Sequence, residues 1–504
     1  MPNNHVKVAL VVPRALVKKV KTALEEQNLL SKSRKITPFQ DPNGDEQRPR
    51  MVIPTTTPLQ GNDQDQELLP REIVEKNTLS RLLHQCDLQD FTDGIETLSY
   101  DAGLDESDPL DDHPIRRVLK VALAALPPDL LSSLQLSLDD LLNPFPSTYV
   151  VYPPMLLLYN WANTSPSWKK LLDTHPPRSP VIQSIWSRVA AAVGATHVAI
   201  NASIPPRIEG SSGGEASIDN ASAENILRSP INIMPIYGNF GLSPDISTPY
   251  GAHPNADAFQ QAFWVKHTQN GIHQIWAPLY TMFSRGNIRE KTRVLKLDSV
   301  LSCARMEIGC TAVDLYAGIG YFAFSYRKAG IGKVLCWELN PWSIEGLARG
   351  AQANGWTQRT FTHFPLGGDW EQGAMDSDFL IFQQSNEEAV EILEKLPPVP
   401  PIRHVNCGLL PSSRLSWGTA VRAIDKKLGG WIHAHENVGV GDIESKKEEV
   451  LAEMQEHLDR VDMGSDQKQR RVKCEHVERV KTYAPGVLHV VLDIWVDGGA
   501  GCDE

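Results

Sequence analysis

The feature that most constrains this 504-residue chain is the run Val313-Asp314-Leu315-Tyr316-Ala317-Gly318-Ile319-Gly320-Tyr321-Phe322. An apolar strand that enters a glycine-rich turn and leaves as a helix lets backbone N–H groups approach a bound nucleoside, and Gly318 and Gly320 are where a Cβ would obstruct it. Glu338 closes the next strand-like run 24 residues after Asp314, where a carboxylate can accept hydrogen bonds from both ribose hydroxyls. Turn, acid and spacing predict a nucleoside-binding Rossmann-like half; the bland alternative is that the glycines only tighten a strand-to-helix turn. The cofactor is not chosen by these features alone, because Gly318-x-Gly320-x-x-Ala323 also satisfies the dinucleotide pattern. Asp314 at the opening of the loop suits a cationic ligand. Together with Asn340-Pro341 behind the acid and the late position of the region, it favours the sulfonium donor S-adenosyl-L-methionine over NAD.

Around this motif the chain alternates between strand-like and helical runs: Thr311 to Leu315, Tyr321 to Ala329, Val334 to Glu338, Ser343 to Asn354, Val405 to Leu410, Ala420 to Lys427 and Trp431 to His435. Alternation of this kind predicts a parallel sheet covered on both faces. His476 to Thr482 and Val487 to Val496, joined by Ala484-Pro485-Gly486, predict an antiparallel hairpin at its edge. The fold class expected is therefore α/β, a C-terminal Rossmann-like transferase sheet of the class that binds S-adenosylmethionine, preceded by an α+β N-terminal region. Three domains are expected: 1–112, 113–299 and 300–504. In the first, Val6 to Val12 is a strand and Ala15 to Gln27 a basic helix, whereas 40–66 is polar and turn-rich and reads as a surface loop or linker. Pro114 to Leu142 reads as helical, with caps at Asp129 and Ser132. The stretch 202–224, rich in Gly, Ser and Pro, reads as a disordered insertion within the central α+β domain.

Three further clusters invite chemistry. Met282 to Arg293 gathers four cations against one anion, offering charge to a carboxylate or phosphate; equally, Asn287 as N-cap with Glu290 three residues on is a capping box. Lys468, Arg470, Arg471, Lys473, Arg479 and Lys481 could meet an RNA backbone or form a solvated face. His433 and His435 share one side of a strand, but without a third ligand nearby no metal is expected. His404 to Ser413 runs from a strand into a small-residue turn at the carboxyl edge of the expected sheet, beside the cofactor. That placement makes Asn406, Pro411 and Ser412 the substrate-facing candidates. Cys407 reads as a buried strand cysteine rather than a nucleophile.

The net charge of −12 excludes a uniformly basic nucleic-acid-coating protein, yet ten carboxylates fall between Asp87 and Asp112 with no Lys or Arg, leaving the rest at −2. The acidic balance is thus weak evidence against an RNA substrate. Seven scattered cysteines with no C-x-x-C pair exclude a disulfide scaffold, and no run reaches the roughly 20 apolar residues that span a bilayer. A cytoplasmic protein without membrane contact is expected, and nothing points to an obligate protein partner.

Asp314 to Phe322, Glu338-Leu339-Asn340-Pro341-Trp342-Ser343, Met282-Phe283-Ser284 with Gly286-Asn287-Ile288 and Glu290-Lys291, Gly408 to Ser413, and Gly429-Gly430-Trp431-Ile432-His433 together resemble the tRNA wybutosine-synthesizing protein 2 family. Tyr152-Pro153-Pro154-Met155 resembles that family's central region. The resemblance extends from about Tyr149 to the C-terminus and, more loosely, over 6–36. It implies transfer of the 3-amino-3-carboxypropyl group of S-adenosylmethionine to the 4-demethylwyosine base beside the anticodon of tRNA(Phe), releasing methylthioadenosine. The family's donor contacts would fall on Ser284, Lys291, Glu338 and Asp369, with Trp370 following where a polar residue is usual and 371–401 longer than the usual connection. The expected donor-binding set is thus Ser284, Lys291, Asp314, Gly318, Gly320, Glu338, Asp369 and Trp370. The related tRNA guanine-N1 methyltransferases carry an Asn-Pro-Pro-Tyr-like turn where this chain has Leu409-Leu410-Pro411-Ser412. Methyl transfer and a non-catalytic RNA-binding role are the alternatives.

Overall fold

The computed structural model describes residues 6–31, 34, 36–39, 50–59, 71–101, 113–146, 148–159, 165–201, 207–208, 223–224, 233–241, 254–283, 285–362, 376–463 and 469–499. The chain divides into two compact units, Met1–Ser147 and Thr148–Glu504.

The first unit is built on β1 (Val6–Pro13), α1 (Val17–Glu26), β2 (Thr37–Pro38), β3 (Arg50–Pro58), α2 (Arg71–Gln85) and β4 (Glu96–Asp101), the strands lying in the order β2-β3-β1-β4. Central β1 is buried from Val8 to Val12, and α1 lays Val20 and Leu24 against it at the i, i+4 spacing of one helix face. Residues 50–58 are a strand, not the loop or linker the turn-rich composition suggested. The β-branched run Val52-Ile53 and Thr55-Thr56-Thr57 pairs with β1, and Thr55 donates its hydroxyl to Val8 O at 2.6 Å. The expected single helical stretch 114–142 is three short helices, α3 (Pro114–Ala124), α4 (Pro128–Ser133) and α5 (Leu138–Leu142). Pro127-Pro128 breaks it, and the capping box belongs to Ser137 and Asp140 rather than to Asp129 and Ser132.

In the second unit, β5 (Tyr149–Tyr152), β6 (Met155–Tyr159), α6 (Pro166–Thr174), α7 (Pro180–Ala191), β7 (His197–Asn201), a two-residue ladder of β8 (Arg207–Ile208) with β9 (Ala223–Glu224), and β10 (Ile233–Tyr237) come first. The four longer strands form a sheet in the order β10-β7-β6-β5. Apart from β8 and β9, the insertion 202–224 lies outside the described residues. After α8 (Ala256–Gln261), the hairpin of β11 (Val265–Gln269) and β12 (Ile272–Trp276) leads through α9 (Ile288–Val294) and α10 (Asp298–Ala304) to the Rossmann-like region.

That region contains β13 (Thr311–Asp314), α11 (Ala323–Lys328), β14 (Lys333–Trp337), α12 (Pro341–Ala353), β15 (Gln358–Phe361), β16 (Phe379–Phe382), α13 (Ala389–Lys395), β17 (Ile402–Cys407), α14 (Trp417–Ala423), β18 (Gly430–Gly439), α15 (Ile443–Asp462), β19 (Val472–Ala484) and β20 (Val487–Val496). The sheet order is β15-β16-β14-β13-β17-β18-β20-β19, parallel through β18 and antiparallel in the terminal hairpin, as the alternation predicted. Alternate residues separate two cores: Val313, Leu335, Val405 and Ile432 face α13 to α15, while Ala312, Val334, Cys336 and Phe379 pack with α11 and α12. The β11–β12 hairpin docks on α12, where a Cβ at Gly346 would stand 2.7 Å from Ile275 O. Asn354 fastens this contact by accepting from His273 N–H at 2.9 Å and donating to His273 O at 2.8 Å. The strand order reverses between β13 and β17, and ligands of open α/β sheets bind outside the carboxyl ends of strands at such a point.

Candidate functional site

Asp314 ends β13 and Asn406 lies beside it on β17. Asn406 Nδ2 donates to Asp314 Oδ1 at 3.1 Å, across the reversal, and the same oxygen accepts the Tyr316 N–H at 3.3 Å. Both side chains are fully buried, and burial pushes the Asp314 carboxyl up to about 6 against the pull of these donors. Asp314 Oδ2 and Asn406 Oδ1 are buried with no partner among the described residues.

Gly318 and Gly320 follow with φ of +55° and +88°, a region that costs L side chains. A Cβ at Gly318 would come within 2.8 Å of the Tyr321 ring, and one at Gly320 within 2.6 Å of the Phe324 ring. The chain's own aromatic rings therefore require both glycines, a constraint that the expectation of close ligand approach did not include. Glu338, just past β14, accepts the Gly318 N–H on Oε2 and the Asn340 N–H on Oε1, each at 2.8 Å. Burial raises its pKa, and the backbone donors Asn340, Gly318 and Leu339 oppose the shift. With three backbone donors, the carboxylate keeps lone-pair capacity for a ligand hydroxyl.

Lys291, on α9, is buried, and its ammonium donates to Gln269 Oε1 at 2.9 Å and Gln274 Oε1 at 3.1 Å on the β11–β12 hairpin. It lies 4.9 Å from the Phe283 ring centre and 5.0 Å from that of Tyr321, whose hydroxyl donates to Met282 O at 2.5 Å. Burial and the neighbouring Lys481 lower its pKa to about 7. Ser284, Asp369 and Trp370 lie outside the described residues.

The capping box, one of the two readings of this cluster, is absent: Asn287 makes no side-chain cap, and buried Glu290 pairs with Arg293 at 2.7 Å. Arg293 spans 200 residues of chain to chelate Asp493 on β20, at 2.5 and 2.9 Å. Asp493 also takes His433 Nδ1 at 2.7 Å, and His433 Nε2 faces His404 Nδ1 at 3.1 Å. Burial favours the neutral acid at Asp493, but His433 and Arg293 outweigh it and hold the carboxyl well below its usual range. His433 is thus spent in a hydrogen-bonded chain, and among the described residues no group of His, Cys, Asp and Glu is arranged to hold a metal.

In the turn after β17, Pro411 O accepts the Asn437 N–H at 2.8 Å, and Ser412 pairs with Glu436 as an isolated bridge. Glu436 Oε1 receives the N–H and hydroxyl of Ser413 at 2.8 and 3.0 Å. Pro411 is exposed, whereas Asn406 lies at the buried base of the turn. Cys407 faces the core, and burial raises its thiol to about 12, consistent with a packing role. Arg470 departs from the basic face read from sequence, being buried and paired with Asp462 at 2.8 Å; Lys468 lies outside the described residues. Residues the sequence reading passed over are Asn437, His489 and Asp493. A signal was present in β20, where His489 and Asp493 interrupt an apolar run four residues apart, on one strand face.

No family model matches the chain. It is 36% identical over 351 residues to tRNA wybutosine-synthesizing protein 2 of Schizosaccharomyces pombe, covering 70% of this chain and 73% of the relative. The Saccharomyces cerevisiae protein of the same name is 33% identical over 388 residues, covering 72% of this chain and 77% of its own. Among solved structures, that of P. horikoshii TYW2 in complex with MeSAdo aligns at 17% identity with a TM-score of 0.46, covering 76% of this chain and 99% of the other. Among the described residues no helix is long and apolar enough to cross a membrane.

Proposed function

The chain belongs to the tRNA wybutosine-synthesizing protein 2 family, and we propose that it transfers the 3-amino-3-carboxypropyl group of S-adenosylmethionine to 4-demethylwyosine beside the anticodon of tRNA(Phe). As a member of that family it is an S-adenosylmethionine-dependent transferase acting on tRNA. The observation that carries the site assignment is Glu338, fixed by backbone N–H groups beside the glycine turn with acceptor capacity remaining on its carboxylate. The residues present fit the donor, because the unpartnered oxygen of Asp314 and the lone pairs of Glu338 supply acceptors at the strand ends.

Glu338 would hold the ribose and Asp369 the adenine. Lys291, assisted by Ser284, would hold the carboxylate of the transferred arm. When bound, the donor supplies a sulfonium with three activated carbons, and the product depends on which one is held in line with the attacking base carbon. Lys291 makes that choice by fixing the arm, and orientation of this kind is worth on the order of 7 kcal/mol or more in favourable intramolecular models. Asn406 with the Pro411-Ser412 turn borders the acceptor base. A cytoplasmic location belongs to the same reading, supported by the six cysteines among the described residues, all of them free.

The test is mass analysis of the small-molecule product after incubation with S-adenosylmethionine and tRNA from cells blocked at demethylwyosine. Methylthioadenosine and a matching mass gain on the tRNA base are expected. S-adenosylhomocysteine would replace the reaction by methyl transfer, and no product would leave an RNA-binding protein.

A further inference from the structure

One face of the sheet carries polar side chains where strands in such sheets are ordinarily apolar. His433, His435 and Asn437 alternate along β18, and the register of β20 sets Asp493 opposite His433 and His489 opposite Asn437. Asn406 on β17 is the neighbour of His433 on the other side. His433 and Asp493 are spent in the hydrogen-bonded chain, but His435 and His489 are not. His435 Nδ1 faces His489 Nε2 at 3.0 Å, both rings are buried, and the outer nitrogens, His435 Nε2 and His489 Nδ1, have no partner among the described residues. Both side-chain polar atoms of Asn437 are in the same condition. Buried polar groups left unsatisfied destabilise a fold, so a concentration of them calls for a use.

The pair's location suggests one. His435 lies one position beyond the register pair Cys407–Ala434, level with the start of the acceptor turn, and its ring centre is 5.0 Å from that of Phe322, the residue that ends the glycine turn. It therefore sits between the donor loop and the turn bordering the acceptor base. Resting on the reaction proposed above, we infer that the His435–His489 pair accepts the proton that the acceptor carbon must lose.

The balance is simple. The acceptor carbon's electrons form the new C–C bond. The C–S bond breaks with its electron pair going to sulfur, so the positive charge passes from the donor to the modified ring. Aromaticity returns when the ring's C–H proton leaves, and a lone pair on the pair's outer nitrogen takes it. The two rings share one proton, so in either tautomer one outer nitrogen holds a lone pair and the other an N–H. A proton taken at one end can be matched by one released at the other.

Of the nearby carboxylates, Asp493 is engaged by Arg293 and His433, Glu436 by Ser413 and Glu338 by the loop, while Asp314, whose Oδ2 has no partner among the described residues, is assigned above to the donor. The pair is also kept unprotonated. Burial lowers His435 well below the ordinary histidine range, with His489, His433 and Arg293 adding to the effect and Asp493 opposing it; burial and Lys481 bring His489 down to about 4. A weak base of this sort suffices for a cationic ring, whose proton is strongly acidic.

The experiment compares wild type with His435→Gln and His489→Gln on tRNA bearing hydrogen or deuterium at the acceptor carbon, alongside calorimetric S-adenosylmethionine affinity and thermal melting. The expected result is a fall in kcat of about 100-fold or more, the scale of general-base catalysis, with donor affinity retained. A primary deuterium effect should appear in the variants as proton loss becomes limiting. Nitrogen-15 NMR of both rings should show neutral imidazoles from pH 5 to 8. Variants that bind donor, react at the wild-type rate and show no isotope effect would overturn the inference, as would a charged ring at pH 7. If wild type itself forms no methylthioadenosine, the reaction assignment fails instead.

Discussion

Replacing Arg293 by Met removes the cation between two buried carboxylates. Glu290 is fully buried and Asp493 nearly so, and Arg293 binds both, with one N–H pair on Glu290 at 2.7 and 2.8 Å. The methionine fills much of the space but leaves two acids in a low-dielectric interior, and breaking a buried ion pair by removing one partner costs about 3–5 kcal/mol. For a unit of about 350 residues, unfolding entropy near 2.1 cal/mol/K per residue converts this to a melting-temperature drop of about 4–7 °C. The pH dependence tests the cause. Burial already raises Glu290, with Arg293 opposing, so without Arg293 it rises further. A carboxyl whose folded pKa exceeds its unfolded value destabilises the fold above the folded pKa, and the penalty disappears as pH falls through it. The deficit should therefore shrink between pH 8 and pH 5. Calorimetric melting of both proteins at those values measures it. A drop below 1 °C, or a deficit that widens toward low pH, would refute the argument.

Other expectations concern the donor site. In Glu338→Gln the amide NH2 would face a backbone N–H in place of an acceptor oxygen, so calorimetric affinity for S-adenosylmethionine should fall about 10-fold or more, from a charged hydrogen bond worth about 1.5–3 kcal/mol. Gly318→Ala places a Cβ against the Tyr321 ring at positive φ, costing about 1–3 kcal/mol of stability, which a denaturant titration would reveal as a lower midpoint at unchanged slope. Lys291, with a pKa near 7, loses its charge as pH rises above that value, so donor affinity should decline from pH 7 to 9 with proton uptake on binding. Lys291→Met should bind weakly with no such decline, and calorimetry in buffers of different ionisation enthalpy distinguishes the two cases.

The parts of this molecule legible in its sequence are those whose physics is local. The strand, glycine turn and helix at 313–328 and the acid at Glu338 are specified by neighbours in sequence, and they stand where the pattern placed them. The hairpin at 472–496 was legible for the same reason. Two four-residue strands, β15 and β16, were not, since runs that short have too few alternations to declare a period. Nor was α15, a 20-residue charged helix that buries only Val450, Met454 and Leu458, a stripe one residue wide. β3 was obscured by Pro54 and Pro58 at its middle and end. The chain from Glu290 to His404 was invisible for a different reason: its members are contributed by four separate elements, and only tertiary pairing tells that Arg293 is an internal strut rather than a surface cation.

That strut changes what the terminal hairpin is for. An antiparallel pair at the end of a parallel sheet closes an edge, but here it also fixes α9, the helix that presents Lys291. Arg293 ties α9 to β20, Arg289 reaches Glu478 on β19 at 2.7 Å, and a Cβ at Gly286, just ahead of α9, would lie 2.6 Å from Lys481 Nζ. The same hairpin contributes His489 and, through Lys481, lowers the pKa of Lys291. On the proposed donor site, binding is thereby linked to residues at the far end of the chain that are not expected to touch the donor. Substitutions at Asp493 should loosen α9 and weaken donor affinity while leaving Glu338 and its backbone donors intact, whereas substitutions at Glu338 should spare the hairpin's protection from hydrogen exchange. If loss of Asp493 left donor affinity unchanged, α9 would have to be positioned by the β11–β12 hairpin alone, through Gln269 and Gln274.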